Sequence, residues 1–150
     1  MGKVPKNGTD YYRERNLKNM DRIDRLLDEL PPFCEDFLRG IESRTSVLTR
    51  LNYCYDLRIF FDFLVRKKFR GKKEVGTLSL EDLESVTDTD LEIYLSYLSN
   101  YRFGDKHLSC DERAKARKLS SVRSMFKYFF NKGLIEVNQS TKVATPKLHE

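Results

Sequence analysis

With 150 residues the chain is long enough for one domain with a proper core and short terminal segments, and too short for two ordinary domains. Hydrophobic residues make up 39% and charged residues 34%, the balance of a helical protein with a highly charged surface, and no apolar run reaches the length of a membrane span. The net charge of +5 favours an acidic partner such as nucleic acid, while Cys34, Cys54 and Cys110, widely spaced and with only His107 and His149 beside them, argue against a metal framework and read as reduced thiols.

Residues 1–9 are polar, contain Gly2, Pro5 and Gly8, and read as a flexible arm; they lack the apolar centre of a secretory signal, so the expected location is cytoplasmic. From Asp10 the pattern turns helical, with Leu17, Met20, Ile23, Leu27 and Leu30 recurring every three or four residues until Pro31 and Pro32 end it. Pro32 suits the first turn of a second helix with the stripe Phe33, Phe37, Leu38 and Ile41. A break at residues 43–46 offers Thr45 or Ser46 as cap for a long helix over Val47 to Lys68, whose second half, with Phe60, Phe61, Phe63 and Leu64, predicts the centre of the core. Phe69 to Thr77, rich in Lys and Arg, reads as a solvated loop. Ser79 with Asp82 and Thr87 with Asp90 are two capping boxes, the second opening a helix that runs to about Tyr101 with Leu91, Tyr94, Leu95 and Leu98 inward. No sustained alternation predicts a strand.

The stretch Arg113–Gly133 carries seven basic residues and no acidic one. Ser109 with Glu112 is its predicted cap, and Gly133 its left-handed terminator with Leu134 as the hydrophobic latch. At about 100° per residue, Ala116, Leu119, Val122, Phe126, Phe129 and Phe130 gather on one side. Arg117, Ser121, Ser124 and Tyr128 fall nearly opposite, with Arg113 and Lys118 on the flanks. One side packs and the other is offered to an anion. Arg123 leans toward the apolar side, where an ion pair with Asp56 would tie the two long helices together. Residues 136–150 are polar, end in Thr145-Pro146-Lys147 and read as a linker.

Two stretches resemble a known family. Ser46, Thr49, Tyr53, Asp56, Leu57, Phe60, Phe63 and Leu64 follow the S-x-x-T-x-x-x-Y-x-x-D-L-x-x-F-x-x-F-L pattern of the N-terminal core-binding domain of tyrosine recombinases and phage integrases. Arg117-Lys118-Leu119-Ser120-Ser121-Val122-Arg123-Ser124-Met125-Phe126-Lys127-Tyr128-Phe129 with Gly133-Leu134-Ile135-Glu136-Val137-Asn138 is similar to that domain's last helix and its exit, with Gln139 where the family has proline. The resemblance implies an all-α, SAM-like orthogonal bundle of four to five helices, half of a clamp that places two helices in the major groove of double-stranded DNA. It divides the chain into an arm (1–9), an N-terminal helix (10–30), a core-binding DNA-binding domain (31–135) and a linker (136–150) to a catalytic domain outside it. The implied parent is a site-specific recombinase of bacterial, phage or mobile-element origin, working as a tetramer on DNA, with the isolated domain a monomer.

The candidate DNA-binding residues are Arg44, Thr45, Thr49, Arg50 and Asn52 at the start of the long helix and Arg113, Lys115, Arg117, Lys118, Ser121 and Ser124 on the last one, Arg117 being the candidate for a guanine edge. No cofactor, metal ligand or catalytic residue is expected, so the reading at this level is a DNA-binding chain that is not itself an enzyme. Two other readings stay open: a helical protein-interaction module, and a standalone DNA-binding regulator.

Overall fold

The computed structural model describes residues 8–147, which form six α-helices and one short hairpin. The helices are α1 (Gly8–Leu27), α2 (Phe33–Gly40), α3 (Val47–Phe63), α4 (Leu80–Glu84), α5 (Asp88–Tyr97) and α6 (Glu112–Asn131), and the hairpin pairs β1 (Tyr101–Phe103) with β2 (Lys106–Leu108). The expected arm lies outside the described residues except for Gly8 and Thr9, which belong to α1. The result is an all-α bundle, and no helix among the described residues is long and apolar enough to cross a membrane.

The core is built around the second half of α3. Leu57, Phe60, Phe61, Phe63 and Leu64 are buried there, and aromatic rings tie the layers together edge to face. Phe33 of α2 stands between Phe61 of α3 and Phe129 of α6, its ring centre 5.6 Å from each. Phe60 meets Tyr94 of α5 at 5.2 Å. At the end of α2 the packing is closer still. A Cβ on Gly40 would run into the ring of Tyr128, so a larger residue there requires that ring to shift; the constraint is contact, not backbone angle.

Local signals explain most element boundaries. Ser46 caps α3 through the Thr49 N–H at 3.1 Å, and both capping boxes, Ser79 with Asp82 and Thr87 with Asp90, are formed. Gly133 ends α6 at φ +72°, with the Leu134 N–H donating to the Phe129 carbonyl at 2.9 Å.

Several expectations are corrected. The cap of α6 is Asp111, which accepts from the Ala114 N–H at 2.8 Å, in place of Ser109. Leu134 is exposed, and Ile135 is the residue that enters the core behind Gly133. Leu17 and Met20 are exposed too, since burial along α1 begins at Ile23. The last turn of the long helix, Leu64–Lys68, is π-helical. The hairpin was hidden because three-residue strands are too short for an alternation to register; its signal is the two-residue turn Gly104-Asp105, with Gly104 at φ +60°.

The segment after Ile135 is docked rather than extended. The Glu136 N–H donates to a Glu84 carboxylate oxygen at 2.8 Å, residues Gln139–Lys142 form a 3-10 turn, and Ser140 and Val143 are buried. Arg123 holds this segment. Its guanidinium donates to the carbonyls of Ser140, at 3.2 Å, and of Val143, and to the Thr145 hydroxyl.

Candidate nucleic-acid interface

The docking of Arg123 bears first on Asp56. Arg123 is spent on the C-terminal segment, and the carboxylate on α3 is held instead by three other donors of α6: Arg117 Nη2 at 3.1 Å, Lys118 Nζ at 3.1 Å and Ser121 Oγ at 2.7 Å. Arg123 cannot reach the same place, because two residues along an α-helix turn it by about 200° from Ser121. Asp56 is buried, and the Lys118 side chain beside it is only 8% exposed. This is a charge pair inside the bundle, tying α3 to α6.

The buried side of α6 therefore differs from the one predicted. Lys118, Leu119, Ser121, Val122, Met125, Phe126 and Phe129 are buried, while Phe130 is exposed. The centre of that arc is turned by about 60° from the predicted stripe, toward Lys118 and Ser121. Met125 is the sequence signal that would have pulled it there. What remains open is a face carrying Arg113, Ser120, Ser124 and Lys127, of which sequence reasoning missed Ser120 and Lys127. Arg117 stands at its edge. One nitrogen is tied to Asp56, but the side chain is 58% exposed, so the buried carboxylate orients a guanidinium whose other donors face solvent.

The start of α3 is ordered by Arg50, which is buried. Its Nη1 donates to the Glu42 carbonyl at 3.1 Å and to the Thr45 carbonyl and hydroxyl at 2.6 and 3.0 Å, while the Thr45 hydroxyl donates to the Ile41 carbonyl at 2.6 Å. Arg50 thus fixes the turn before α3 from inside. Thr49 accepts from the Ser46 hydroxyl at 2.9 Å. Asn52 is exposed. Lys115 is engaged at the far end of α6, with Ser99 at 2.6 Å and Glu112 at 3.4 Å.

Part of the predicted set does come together. Arg44 and Thr45 from the α3 approach, and Ser124 and Lys127 from α6, line one groove of about 230 Å³ with Ile41 and Tyr53. Tyr53 bridges its floor, its hydroxyl 3.2 Å from the Ser124 hydroxyl. Arg44, Arg113 and Lys127 are exposed and make no ion pair among the described residues. A groove lined by the hydroxyls of Thr45, Tyr53 and Ser124 and by the unpaired Arg44 and Lys127 suits an anion that presents several oxygens.

Other chemistry is weakly represented. No group of three or more His, Cys, Asp or Glu side chains is placed to hold a metal among the described residues. Burial pushes the Cys54 thiol up to about 12 and the Cys34 thiol well above its ordinary value, so both stay protonated and unreactive.

Comparison with known proteins finds similarity to tyrosine recombinases. The tyrosine recombinase XerC of Caldanaerobacter subterraneus subsp. tengcongensis is 35% identical over 130 residues, which cover 79% of this chain and 35% of that protein. XerC of Leptospira interrogans serovar copenhageni is 28% identical over 110 residues, 73% of this chain and 30% of that protein. The tyrosine recombinase XerS of Streptococcus mutans is 23% identical over 113 residues, 73% of this chain and 32% of that protein. No family model and no solved structure matches. The chain spans about a third of the length of these relatives. They are enzymes, and this overturns the expectation that the chain is not one: its relatives are catalytic proteins, and the similarity covers only a part of each.

Proposed function

The chain belongs to the tyrosine recombinase family, and on that premise we propose that it grips duplex DNA with the surface made by the start of α3 and the open face of α6, serving site-specific recombination in the cytoplasm. The observation that carries this reading is the groove in which Arg44 and Thr45 meet Ser124 and Lys127 across Tyr53, because it joins two helices that are far apart in sequence into one cationic surface. Phosphate binding falls to Arg44, Arg113 and Lys127, and base reading to Arg117, whose direction Asp56 sets. Lys118, Ser121 and Arg50 serve the same surface from beneath, by fixing its two helices. Strand exchange and assembly as a tetramer on DNA are the activities we propose for the whole protein, with the chain alone a monomer.

Duplex affinity measured against salt tests the reading. A phosphate binder shows log affinity falling linearly with log salt, and replacing Arg44, Arg113 and Lys127 together by Gln lowers the slope by about one for each phosphate left without its cation. Salt-insensitive binding, or none at low salt, would overturn it and favour a protein partner.

A further inference from the structure

The far end of α3 carries a second basic surface that the proposed interface does not use. Residues 66–73 contain six cations, Arg66, Lys67, Lys68, Arg70, Lys72 and Lys73, and no acidic residue. Three of them are occupied: Arg66 pairs with Asp62 at 3.0 Å, Lys68 with Asp90 at 2.8 Å, and Lys73 with Asp82. Lys67, Arg70 and Lys72 are exposed and pair with no carboxylate among the described residues. The backbone is built to present them. The helix leaves its α pitch for a π turn, and beyond it two consecutive residues, Arg70 at φ +51° and Gly71 at φ +76°, are left-handed. The left-handed pair closes the helix, the Gly71 N–H donating to the Val65 carbonyl at 2.9 Å, and sets Arg70 and Lys72 beyond its end.

Beside this turn lies an open groove of about 660 Å³, where Arg66 and Lys67 face Arg102, Asn100 and His107 of the hairpin region. Its aromatic residues are already engaged. The Tyr97 ring lies 5.0 Å from Phe63 and 5.6 Å from Tyr101, with Lys67 Nζ 5.9 Å above it, and Tyr101 is buried. Both tyrosines are thus engaged with neighbouring groups, and the rest of the lining is Arg66, Lys67, Gly71, Asn100, Arg102 and the exposed His107. The surface offers chiefly positive charge and hydrogen-bonding groups.

We propose that this surface, Lys67, Arg70 and Lys72 with Arg102, contacts the phosphodiester backbone of a duplex segment separate from the one held at the start of α3. The inference rests on the reading of the chain as a duplex-binding protein. From Val47 to Lys67 the helix rises about 30 Å, which at about 3.4 Å per base pair corresponds to roughly nine base pairs. A duplex shorter than that, laid along α3, cannot reach from the groove at Arg44 to this surface.

The test is fluorescence anisotropy of the protein on a hairpin-capped stem of about 8 base pairs and on a duplex of about 24, titrated against salt. The patch variant K67Q/R70Q/K72Q is compared with the face variant R44Q/K127Q, both checked for unchanged melting. The patch variant is expected to bind the long duplex about tenfold more weakly, with a slope lowered by about two to three, and to match the parent on the short stem. Equality with the parent on the long duplex overturns the inference, as does the same loss on both lengths. A face variant that binds like the parent while the patch variant does not would sink the α3–α6 interface and leave this one standing. No salt-dependent binding by the parent on either duplex would remove both.

Discussion

Replacing Asp56 by Asn keeps its size and removes its charge, and the structure sets the cost. Lys118, 8% exposed, loses its counter-charge while remaining inside the bundle. Breaking a buried pair by deleting one partner costs about 3–5 kcal/mol. The Arg117 contribution is small, because that side chain is 58% exposed and screened. The amide oxygen can still accept from Ser121. A loss of about 3 kcal/mol follows, which for a chain of this size lowers Tm by about 6–12 °C. Urea unfolding followed by circular dichroism reads it directly. Lys118→Met alone should cost less, about 1–2 kcal/mol, since Asp56 keeps two donors. The double variant should then be more stable than the sum of the two by at least about 1 kcal/mol. If Asp56→Asn unfolds within about 0.5 kcal/mol of the parent, or if the two changes simply add, the buried pair does not tie α3 to α6.

Gly40→Ala drives a methyl into the Tyr128 ring, which Phe37 and Phe129 confine at 5.7 and 5.2 Å; a loss of about 1–3 kcal/mol is expected, relieved in combination with Tyr128→Ser, and an unchanged unfolding midpoint would disprove the close packing. Arg123→Ala should raise hydrogen exchange over residues 140–145 with little change in α3. Arg123→Lys should recover little, because one ammonium cannot fork to two carbonyls; full protection in either variant would contradict the docking role. Acid should loosen α4 and α5. Asp82 is held below the ordinary carboxylate range chiefly by its hydrogen bond from Lys73; at Asp90 burial pushes the other way and is outweighed by the bonds from Lys68 and the Thr87 N–H. Both folded values lie under the unfolded ones, so their stabilisation is complete above about pH 4 and is lost as pH falls through the folded values. Asp82→Asn/Asp90→Asn should flatten the urea midpoint against pH below that point, and curves parallel to the parent's would refute it.

Much of this protein is legible in its residues one stretch at a time. Ser46, the two capping boxes, Pro31 and Gly133 mark helix ends because each satisfies or denies backbone groups within four residues of itself, and such local chemistry does not depend on the rest of the chain. The family motifs are legible for the same reason, being spacings along α3 and α6. The candidate site is less so. Periodicity sets the phase of residues around one helix, but its neighbours decide which arc is buried, and α6 is covered on the side of Lys118 and Ser121 as well as on its phenylalanine side. That turn of about 60° moved Lys118 and Ser121 inward and brought Lys127 out.

Partners across long separations emerge only in the folded chain. Asp56 takes Arg117, Lys118 and Ser121, and Arg123 takes the carbonyls near residue 140. Backbone carbonyls leave no mark in sequence, so nothing in the residue pattern could reveal that the apparent linker supplies the acceptors for Arg123. The helices, their ends and the family are written along the chain. Which cations face out is settled by packing, because burial is a property of two surfaces meeting and a sequence describes one at a time.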